Sequence, residues 1–220
     1  MKSVALFDLD GTLVDADHLH YEAWREMVAP HGIELSLDTY VSEIMGQPNS
    51  LLARNFLKDL DEDVALKLVD DKEAMFRSLF VGLKPAKGLT DFLDWLEKNG
   101  VPIGVVTNAP RDNAEHQLVN LGLVERFPTV VIGAEVAHPK PHPDPYLVGL
   151  ERLQGRAASS LAFEDSRSGI TAGKAAGLAV IGLATSMTEE ALLAVGVELA
   201  IPDYTDPRLR PFAAARLGIA

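Results

Sequence analysis

The most informative stretch of this chain is Phe7-Asp8-Leu9-Asp10-Gly11-Thr12-Leu13-Val14. It follows a mostly apolar run, Ser3–Phe7, of the kind found in strands that are buried on both faces. Asp8 and Asp10 therefore place two carboxylates at the end of a predicted strand. Like charges this close raise each other's pKa unless a cation compensates them, and Mg²⁺ prefers such oxygen ligands. The alternative interpretation is an Asx turn that ends the strand and binds nothing.

Four further apolar runs predict strands, and helical patterns lie between them. The predicted strands are Ile103–Thr107, Thr129–Ile132, Leu161–Phe163 and Ala179–Leu183. The predicted helices cover residues 89–99, residues 112–121, the residues after Pro145, and residues 166–176. Because strands that alternate with helices favour parallel pairing, the sequence predicts an α/β fold with a doubly wound parallel sheet.

The connection between the first two predicted strands is unusually long. Nearly a hundred residues separate these strands, far more than one crossover helix requires. Residues 15–84 carry helical patterns, and Pro85 and Gly88 mark the return to the sheet. We therefore predict a sheet core, residues 1–14 and 85–220, and an inserted α-helical domain, residues 15–84. The insert follows the carboxyl end of the first strand, where open α/β sheets bind ligands.

A second acidic pair, Glu164 and Asp165, ends the fourth predicted strand. Since the carboxyl ends of parallel strands meet at one edge of a sheet, we expect this pair close to Asp8 and Asp10. Four carboxylates at one edge would repel each other strongly without a divalent cation. The sequence therefore predicts a Mg²⁺ site, and a helix-capping role for Asp165 is compatible with it.

Three residues indicate binding of a phosphate group. Thr107 and Asn108 end the second predicted strand, where a hydroxyl and an amide can donate hydrogen bonds to an anion beside a helix N-terminus. Lys140 lies in His138–Pro145, a segment whose four prolines restrict its backbone. A lysine held near carboxylates in this way can bind the oxygens of a transferring phosphoryl group.

Composition excludes several classes of protein. The chain has 220 residues, 47% of them hydrophobic, which is enough for a core domain with a smaller insert. It has no cysteine, which excludes disulfides, thiolate metal sites and cysteine nucleophiles. The formal net charge of −12 argues against nucleic acid as a partner. Because no apolar run approaches the ~20 residues of a membrane helix and Val4–Phe7 is too short for a signal peptide, we expect a cytoplasmic protein without a membrane partner.

The order of these motifs resembles that of the haloacid dehalogenase-like hydrolase superfamily. The resemblance covers the whole predicted sheet core. It implies a Rossmann-like core with a helical cap inserted after the first motif. The residues that carry it are the stretch 7–13, Thr107-Asn108, Lys140-Pro141 and Glu164-Asp165-Ser166.

The same resemblance implies roles for the acidic residues. Asp8 would be the nucleophile that attacks phosphorus and becomes an aspartyl-phosphate. Asp10 would be the general acid and base. Mg²⁺ would be held by Asp8, Asp165, Glu164 and the backbone carbonyl of Asp10. Dehalogenases of this superfamily lack the second aspartate, so Asp10 favours phosphoryl chemistry over cleavage of carbon–halogen bonds.

Residues of the insert bear on the choice between phosphatase and phosphomutase. His20 lies in the pattern Asp17-x-x-His20-x-x-x-Trp24, which is similar to the cap of β-phosphoglucomutases, where the matching histidine neighbours the acid/base aspartate. A helix-surface histidine packed near Trp24 is the alternative interpretation. The loop Ile44–Ser50 contains no lysine or arginine, so it would bind a second phosphate weakly. We expect Gly46 in this loop to allow close approach of a ligand, with a plain loop glycine as the alternative.

We therefore expect a Mg²⁺-dependent phosphatase of small phosphorylated metabolites, such as sugar or polyol phosphates, that is a monomer or a weak homodimer. A β-phosphoglucomutase-type phosphomutase and a phosphoglycolate-type phosphatase are the alternatives. We expect Lys72 and Arg77 on a solvated helix face, with a position in the site as the alternative. His138 and His142 show no spacing typical of a zinc site.

Overall fold

The computed structural model describes residues 2–219 and has a parallel sheet at its centre. Its strands are β1 Ala5–Phe7, β2 Ile103–Thr107, β3 Val130–Ile132, β4 Leu161–Glu164, β5 Ala179–Leu183 and β6 Leu199–Ile201. They pair in the order β3-β2-β1-β4-β5-β6, and every pair is parallel. The predicted α/β fold with a doubly wound parallel sheet is therefore confirmed. Of the six described strands, β6 is the one that was not predicted.

Strand β1 lies in the middle of the sheet, between β2 and β4. Phe7 is the register partner of Val105 on one side and of Phe163 on the other. The rings of Phe7 and Phe163 stack with their centroids 4.5 Å apart. Because the three strands run in the same direction, the residues that follow them emerge together at the carboxyl edge of the sheet. This edge therefore receives the motifs that end β1, β2 and β4.

Helices cover both faces of this sheet. They are α5 Leu89–Lys98, α6 Arg111–Asn120, α7 Asp144–Arg152, α8 Arg167–Ala175, α9 Glu189–Val195 and α10 Leu209–Leu217. Successive residues of β1 point to opposite faces, so that Phe7 joins one buried cluster and Leu6 joins another. Residues of α5, α6 and α10 complete the first cluster, and residues of α7, α8 and α9 complete the second. The core is thus a three-layer arrangement with the sheet in the middle.

The long connection after β1 is helical, as expected. Its helices are α1 Asp17–Val28, α2 Leu37–Thr39, α3 Asn49–Asn55 and α4 Glu62–Leu79, and a π-helical turn follows α2 at Tyr40–Ile44. Buried side chains from these elements form a third cluster, which includes Trp24, Leu52 and Leu68. The insert therefore has a small hydrophobic core of its own.

Both ends of the insert also pack on the sheet core. Leu19 and Ala23 of α1, Phe76 of α4 and Phe80 just beyond it belong to the same buried cluster as Phe7. The division of the chain at residues 14 and 85 stays a proposal, because these contacts join the two parts without marking a boundary. Within residues 2–219, no helix combines the length and the apolar character that a membrane span needs.

Candidate active site

Asp8 and Lys140 form the centre of a buried cluster at the carboxyl edge of the sheet. Asp8 directly follows β1, and Lys140 Nζ donates to its Oδ1 at 2.7 Å. The same ammonium group donates to Glu164 Oε1 at 2.5 Å. Lys140 is only 2% exposed. The lysine that the sequence analysis selected is therefore fixed between two carboxylates rather than free on the surface.

Asn108 holds the backbone of Lys140 in place. Its Nδ2 donates to the Lys140 carbonyl oxygen at 3.1 Å, and its Oδ1 accepts from the Lys140 amide at 3.1 Å. Thr107 is buried at the end of β2, where its Oγ1 accepts a hydrogen bond from the amide of Ala109 at 3.0 Å. Both predicted phosphate-binding residues thus lie beside Lys140, at the start of the loop that leads to α6.

Three carboxylates of this cluster are arranged to hold a metal ion. One ligand oxygen from each of Asp8, Glu164 and Asp165 lies within 4.8 Å of the others. Glu164 Oε1 also accepts from the hydroxyl of Tyr146 at 2.6 Å, and Asp165 Oδ2 accepts from Ser186 Oγ at 2.6 Å. Three hard oxygen donors at this spacing suit Mg²⁺. The side chain of Asp10 is not part of this group.

Burial and mutual repulsion raise the pKa values of Asp8 and Asp165. Burial raises the pKa of Asp8 to about 8, with the charge of Glu164 adding to the shift and Lys140 opposing it. Burial also raises the pKa of Asp165 well above its usual range, and the charges of Asp17 and Asp8 add to this shift. Carboxyl groups with raised pKa values at one point indicate a site that lacks positive charge. The donor set therefore fits a divalent cation.

Asp10 turns away from this group toward the insert, where it meets His20. His20 Nε2 lies 3.2 Å from Asp10 Oδ1, and His20 Nδ1 lies 2.8 Å from Lys72 Nζ. Because an ammonium group can only donate, Nδ1 accepts from Lys72 and Nε2 carries the hydrogen that faces Asp10. The His20 ring stacks on Phe76, with centroids 3.7 Å apart. The structure thus places His20 beside Asp10, as in the interpretation that compares it with the cap histidine of β-phosphoglucomutases.

The expectation that Lys72 lies on a solvated helix face is wrong. Lys72 is 3% exposed, and its Nζ lies 5.3 Å from the ring centroid of Trp24. Arg77 is half-buried and donates to Asn113 Oδ1 of α6 at 2.7 Å. The charge of Lys72 is compensated by Glu73, whose Oε1 lies 3.1 Å from Nζ. The inner face of α4 is buried because α1 and α6 pack against it.

The loop that contains Gly46 contacts the sheet core. The carbonyl oxygen of Gly46 accepts hydrogen bonds from Asn108 Nδ2 at 3.3 Å and from Ser168 Oγ at 3.1 Å. Gly46 has φ +72°, and a Cβ atom there would lie 3.2 Å from the Cβ of Ser166. The glycine therefore permits close approach between insert and core, and its role toward a ligand stays a prediction.

A cavity lies between the core edge and the insert. Eight of the nine predicted site residues line this cavity. The ninth, Glu164, is buried, bonds to Lys140 and does not line it. Lys72, for which a position in the site was the alternative interpretation, also lines this cavity. The sequence analysis did not assign to the site several further lining residues, and these are Asp17, Tyr40, Gln47, Asn49, Glu73 and Ser166. For Lys72 and Glu73 a signal existed. Both fall on the stripe of buried residues 65, 68, 69, 72, 73 and 76 of α4, at the spacing of one helix face.

Another group of possible metal ligands lies outside this cavity. His138 Nδ1 is 2.8 Å from Asp144 Oδ2, and His142 Nδ1 is 3.0 Å from Asp144 Oδ1. Both histidines are exposed. The sequence spacing did not indicate this proximity because it depends on the turn in which His142 donates its amide hydrogen to the carbonyl oxygen of Pro139.

Comparison with known proteins agrees with this geometry. A model of the family described as haloacid dehalogenase-like hydrolase matches residues 5–183. The chain is 33% identical to validoxylamine A 7'-phosphate phosphatase of Streptomyces hygroscopicus subsp. limoneus, over 94% of this chain and 97% of that protein. It is 32% identical to phosphorylated carbohydrates phosphatase of Thermotoga maritima, over 87% of this chain and 90% of that protein.

A solved structure has the same fold over nearly the whole chain. It is a haloacid dehalogenase hydrolase, family IA, variant 3, from Entamoeba histolytica, with a TM-score of 0.86 and 27% identity over 99% of this chain and 98% of that one. The superfamily inferred from the motifs is therefore confirmed, and relatives are named as phosphatases. From the motif order, the buried cluster around Lys140 and these similarities together, it follows that the chain belongs to the haloacid dehalogenase-like hydrolase family.

Proposed function

We propose that this protein is a Mg²⁺-dependent phosphatase of small phosphorylated metabolites, with sugar or polyol phosphates as its substrates. The observation that carries the proposal is the position of Asp8, bonded to Lys140 and facing the cavity beside Asp10. The names of two relatives, a validoxylamine phosphate phosphatase and a phosphorylated carbohydrates phosphatase, agree with a substrate that has many hydroxyl groups.

Asp8, Asp165 and Glu164 would hold the cation, together with the backbone carbonyl of Asp10. When bound, Mg²⁺ would supply positive charge that compensates these carboxylates and the phosphate oxygens of the substrate. Close packing keeps the donor set in place. A Cβ atom on Gly11 would lie 2.1 Å from Asp165 Oδ2, so the turn after β1 fits against Asp165 only with glycine at this position.

In the first step, a carboxylate oxygen of Asp8 attacks phosphorus, and the bond between phosphorus and the ester oxygen breaks. Asp10 gives its proton to the leaving oxygen, so the alcohol departs neutral. Lys140, Thr107 and Asn108 bind the phosphoryl oxygens. In the absence of substrate, burial opposes the charge on Asp10, but His20 and Gln117 offset this and its pKa is lowered. The negative phosphoryl group of the substrate raises the proton affinity of Asp10 for this step.

In the second step, Asp10 is a carboxylate and removes a proton from water. The water oxygen attacks phosphorus, the bond from phosphorus to Asp8 breaks, and inorganic phosphate leaves. His20 Nε2 lies 3.2 Å from Asp10 Oδ1, close enough to help hold this carboxylate in position for both steps. Each turnover thus consumes one water and returns Asp8 and Asp10 to their starting states.

A phosphomutase is the second candidate, and the contact between His20 and Asp10 favours it. A mutase must also bind a second phosphate at the far side of the cavity. The loop at residues 44–50 offers no lysine or arginine for this purpose, so the phosphatase is the stronger proposal. A monomeric or weakly dimeric state and a cytoplasmic location stay predictions.

The experiment that tests the proposal measures phosphate release from a panel of sugar, polyol and short-acid phosphates, with Mg²⁺ and with EDTA. We expect release by the wild type that requires metal and is lost in Asp8→Asn. Asp112→Asn, at an exposed position, is the matched control and keeps its activity. Conversion of a hexose 1-phosphate to the 6-phosphate without release would establish the mutase, and the absence of both reactions would overturn both candidates.

A further inference from the structure

Lys72 and Glu73 form a buried ion pair in the wall of the cavity that belongs to the insert. Their side chains are 3.1 Å apart, from Nζ to Oε1, and the two residues are 3% and 5% exposed. Both residues line the cavity. The pair is neutral as a unit, since each charge compensates the other.

Polar neighbours on two other helices hold the Glu73 carboxylate. Its Oε1 accepts from Asn49 Nδ2 at 2.9 Å, and its Oε2 accepts from Asn113 Nδ2 of α6 at 2.6 Å. Lys72 Nζ in turn contacts His20 Nδ1 at 2.8 Å. Because both partners are anchored, Glu73 cannot move aside to release Lys72 to a ligand without loss of these bonds.

This arrangement leaves the insert wall without free positive charge. Among the described residues that line the cavity, the lysines are Lys72 and Lys140, and no arginine is among them. Lys140 is bonded to Asp8 and Glu164, and Lys72 is bonded to Glu73. A second anionic group of a substrate would have to compete with the Glu73 carboxylate at short range, in a site where water screens charge poorly.

Neutral hydroxyl groups would meet no such obstacle. Tyr40, Gln47 and Asn49 line the same wall and offer a phenol and two amides, which can exchange hydrogen bonds with alcohols. The chemistry of the wall is therefore suited to a polyhydroxy group without charge.

We propose that the Lys72–Glu73 pair makes the enzyme select substrates whose single phosphate is their only anionic group. Polyol and sugar monophosphates would be accepted, whereas bisphosphates and phosphorylated short acids such as phosphoglycolate would be rejected. Selectivity here comes from Glu73, which compensates Lys72 so that a second anionic group finds no available cation in this wall. This inference rests on the proposed phosphatase function.

The test compares matched substrates that differ in the second anionic group. Glycerol phosphate is paired with phosphoglycolate, and fructose 1-phosphate with fructose 1,6-bisphosphate. For each pair the measured quantity is the ratio of kcat/KM, neutral member over anionic member. We expect the wild type to favour the neutral member by at least about tenfold, because a second anionic group loses water in this wall and gains no cation in return. A wild-type ratio near one would overturn the inference without any variant.

Charge variants of the pair give a second, independent test. Glu73→Gln leaves Lys72 uncompensated and should lower the ratio about tenfold, while Lys72→Gln should raise it by a similar factor. The double variant Lys72→Gln/Glu73→Gln loses both charges of the pair, so a second anionic group again finds no cation there and the ratio should be close to that of the wild type. Lys67→Gln, at an exposed position of the same helix that does not line the cavity, is the matched control and should leave the ratio unchanged.

The outcomes separate this inference from the proposed function. Phosphate release with ratios that do not follow the charge of the pair would overturn the inference and leave the phosphatase intact. No release from any substrate by the wild type would overturn the phosphatase first. Circular dichroism and thermal melts identify any single variant that fails to fold, and the wild-type ratio together with the double variant then decides the question.

Discussion

Lys140 is the single residue on which the charge balance of the site depends. It is the cation that contacts both Asp8 and Glu164, and its backbone is held by Asn108. Without it, Glu164 would stay buried beside Asp8 with no cation among its contacts. Removal of one member of a buried ion pair is strongly destabilising because the other charge stays buried.

We predict that Lys140→Gln lowers the free energy of unfolding by about 3 kcal/mol in the metal-free protein. Phosphatase activity should fall at least ~100-fold, since a donor to the phosphoryl oxygens is lost. Urea unfolding with and without Mg²⁺ is the measurement, and added metal should restore part of the stability. Lys98→Gln, at an exposed position of α5, is the control. Unchanged stability and activity in Lys140→Gln would contradict the prediction.

The raised pKa of Asp8 predicts pH-dependent metal binding. Because burial raises this pKa to about 8, the metal-free carboxyl group holds a proton at pH 7. A cation must displace that proton, so the apparent affinity for Mg²⁺ should rise as the pH increases from 6 to 8. Calorimetric titration in buffers with different ionisation enthalpies measures the proton release directly. Fewer protons should be released when Mg²⁺ binds to Asp8→Asn. A wild-type affinity for Mg²⁺ that does not change with pH would contradict the raised pKa of Asp8.

Among the structural elements, the turn between β1 and α1 determines how the acidic residues meet. Gly11 has φ +70°, its amide donates to the carbonyl oxygen of Val14 at 2.8 Å, and Asp165 lies directly against it. A side chain at this position would have to displace the Asp165 carboxylate. The turn therefore contributes to the metal site although it supplies no side-chain ligand there.

We predict that Gly11→Ala weakens Mg²⁺ binding at least about tenfold, because the new Cβ atom pushes Asp165 out of place. It should also destabilise the fold by more than the ~1 kcal/mol that a positive φ costs a residue other than glycine. Gly32→Ala is a close control, since Gly32 has φ +75° and nothing within 4 Å of the new atom. Gly32→Ala should lose stability but keep its affinity for Mg²⁺. Equal metal affinity in both variants would show that Asp165 tolerates the displacement.

The lowered pKa of Asp203, in the segment after β6, predicts how the stability of the fold changes at low pH. The hydrogen bonds from Thr205 and Lys87 lower the pKa of Asp203 from 3.8 to about 2. A carboxyl group with a lowered pKa stabilises the fold above its unfolded value of 3.8, and this contribution is lost as the pH falls through 2. The free-energy difference between wild type and Asp203→Asn should therefore be about 1 kcal/mol above pH 4, reduced by solvent screening, and should shrink toward pH 2. Unfolding curves from pH 2 to pH 6 measure it, and a constant difference would disprove the assignment.

In the molecule as a whole, Asn113 joins the insert to the sheet core. This buried residue of α6 donates to Glu73 and accepts from Arg77, and both of these partners lie on α4. Gly46 makes a second connection through Asn108 and Ser168. The position of the insert over the cavity thus depends on a few polar contacts near the site.

We predict that Asn113→Ala destabilises the protein by about 2 kcal/mol, because a buried carboxylate loses a donor. Hydrogen exchange should become faster in α4 than in α8, since the loss falls on the contact between insert and core. Mass spectrometry after exchange measures both helices in one experiment. The control is Asn120→Ala on the exposed face of the same helix, whose side chain bonds only to the carbonyl oxygen of His116. Equal exchange in α4 of both variants would argue against this role.

The fold could be predicted largely from local patterns. β1 and β4 are short and wholly apolar until the acidic residues that end them, so their burial follows from composition. Their parallel direction follows from the helices that alternate with the strands. The parallel arrangement then brings Asp8 and Asp165 to the same edge without further information. The elements that were missed, β6 and the helices α9 and α10, are short or weakly patterned.

The sequence by itself determined the class of fold, the family and the acidic residues with Lys140, because each of these depends on motifs that are contiguous in the chain. The contacts of the insert depended on tertiary structure. Lys72 and Glu73 have the composition of a solvated helix face, and their burial arises from α1, α3 and α6, which lie far away in sequence. A charged side chain becomes part of a site when distant neighbours exclude water and compensate its charge, and local sequence does not contain those neighbours.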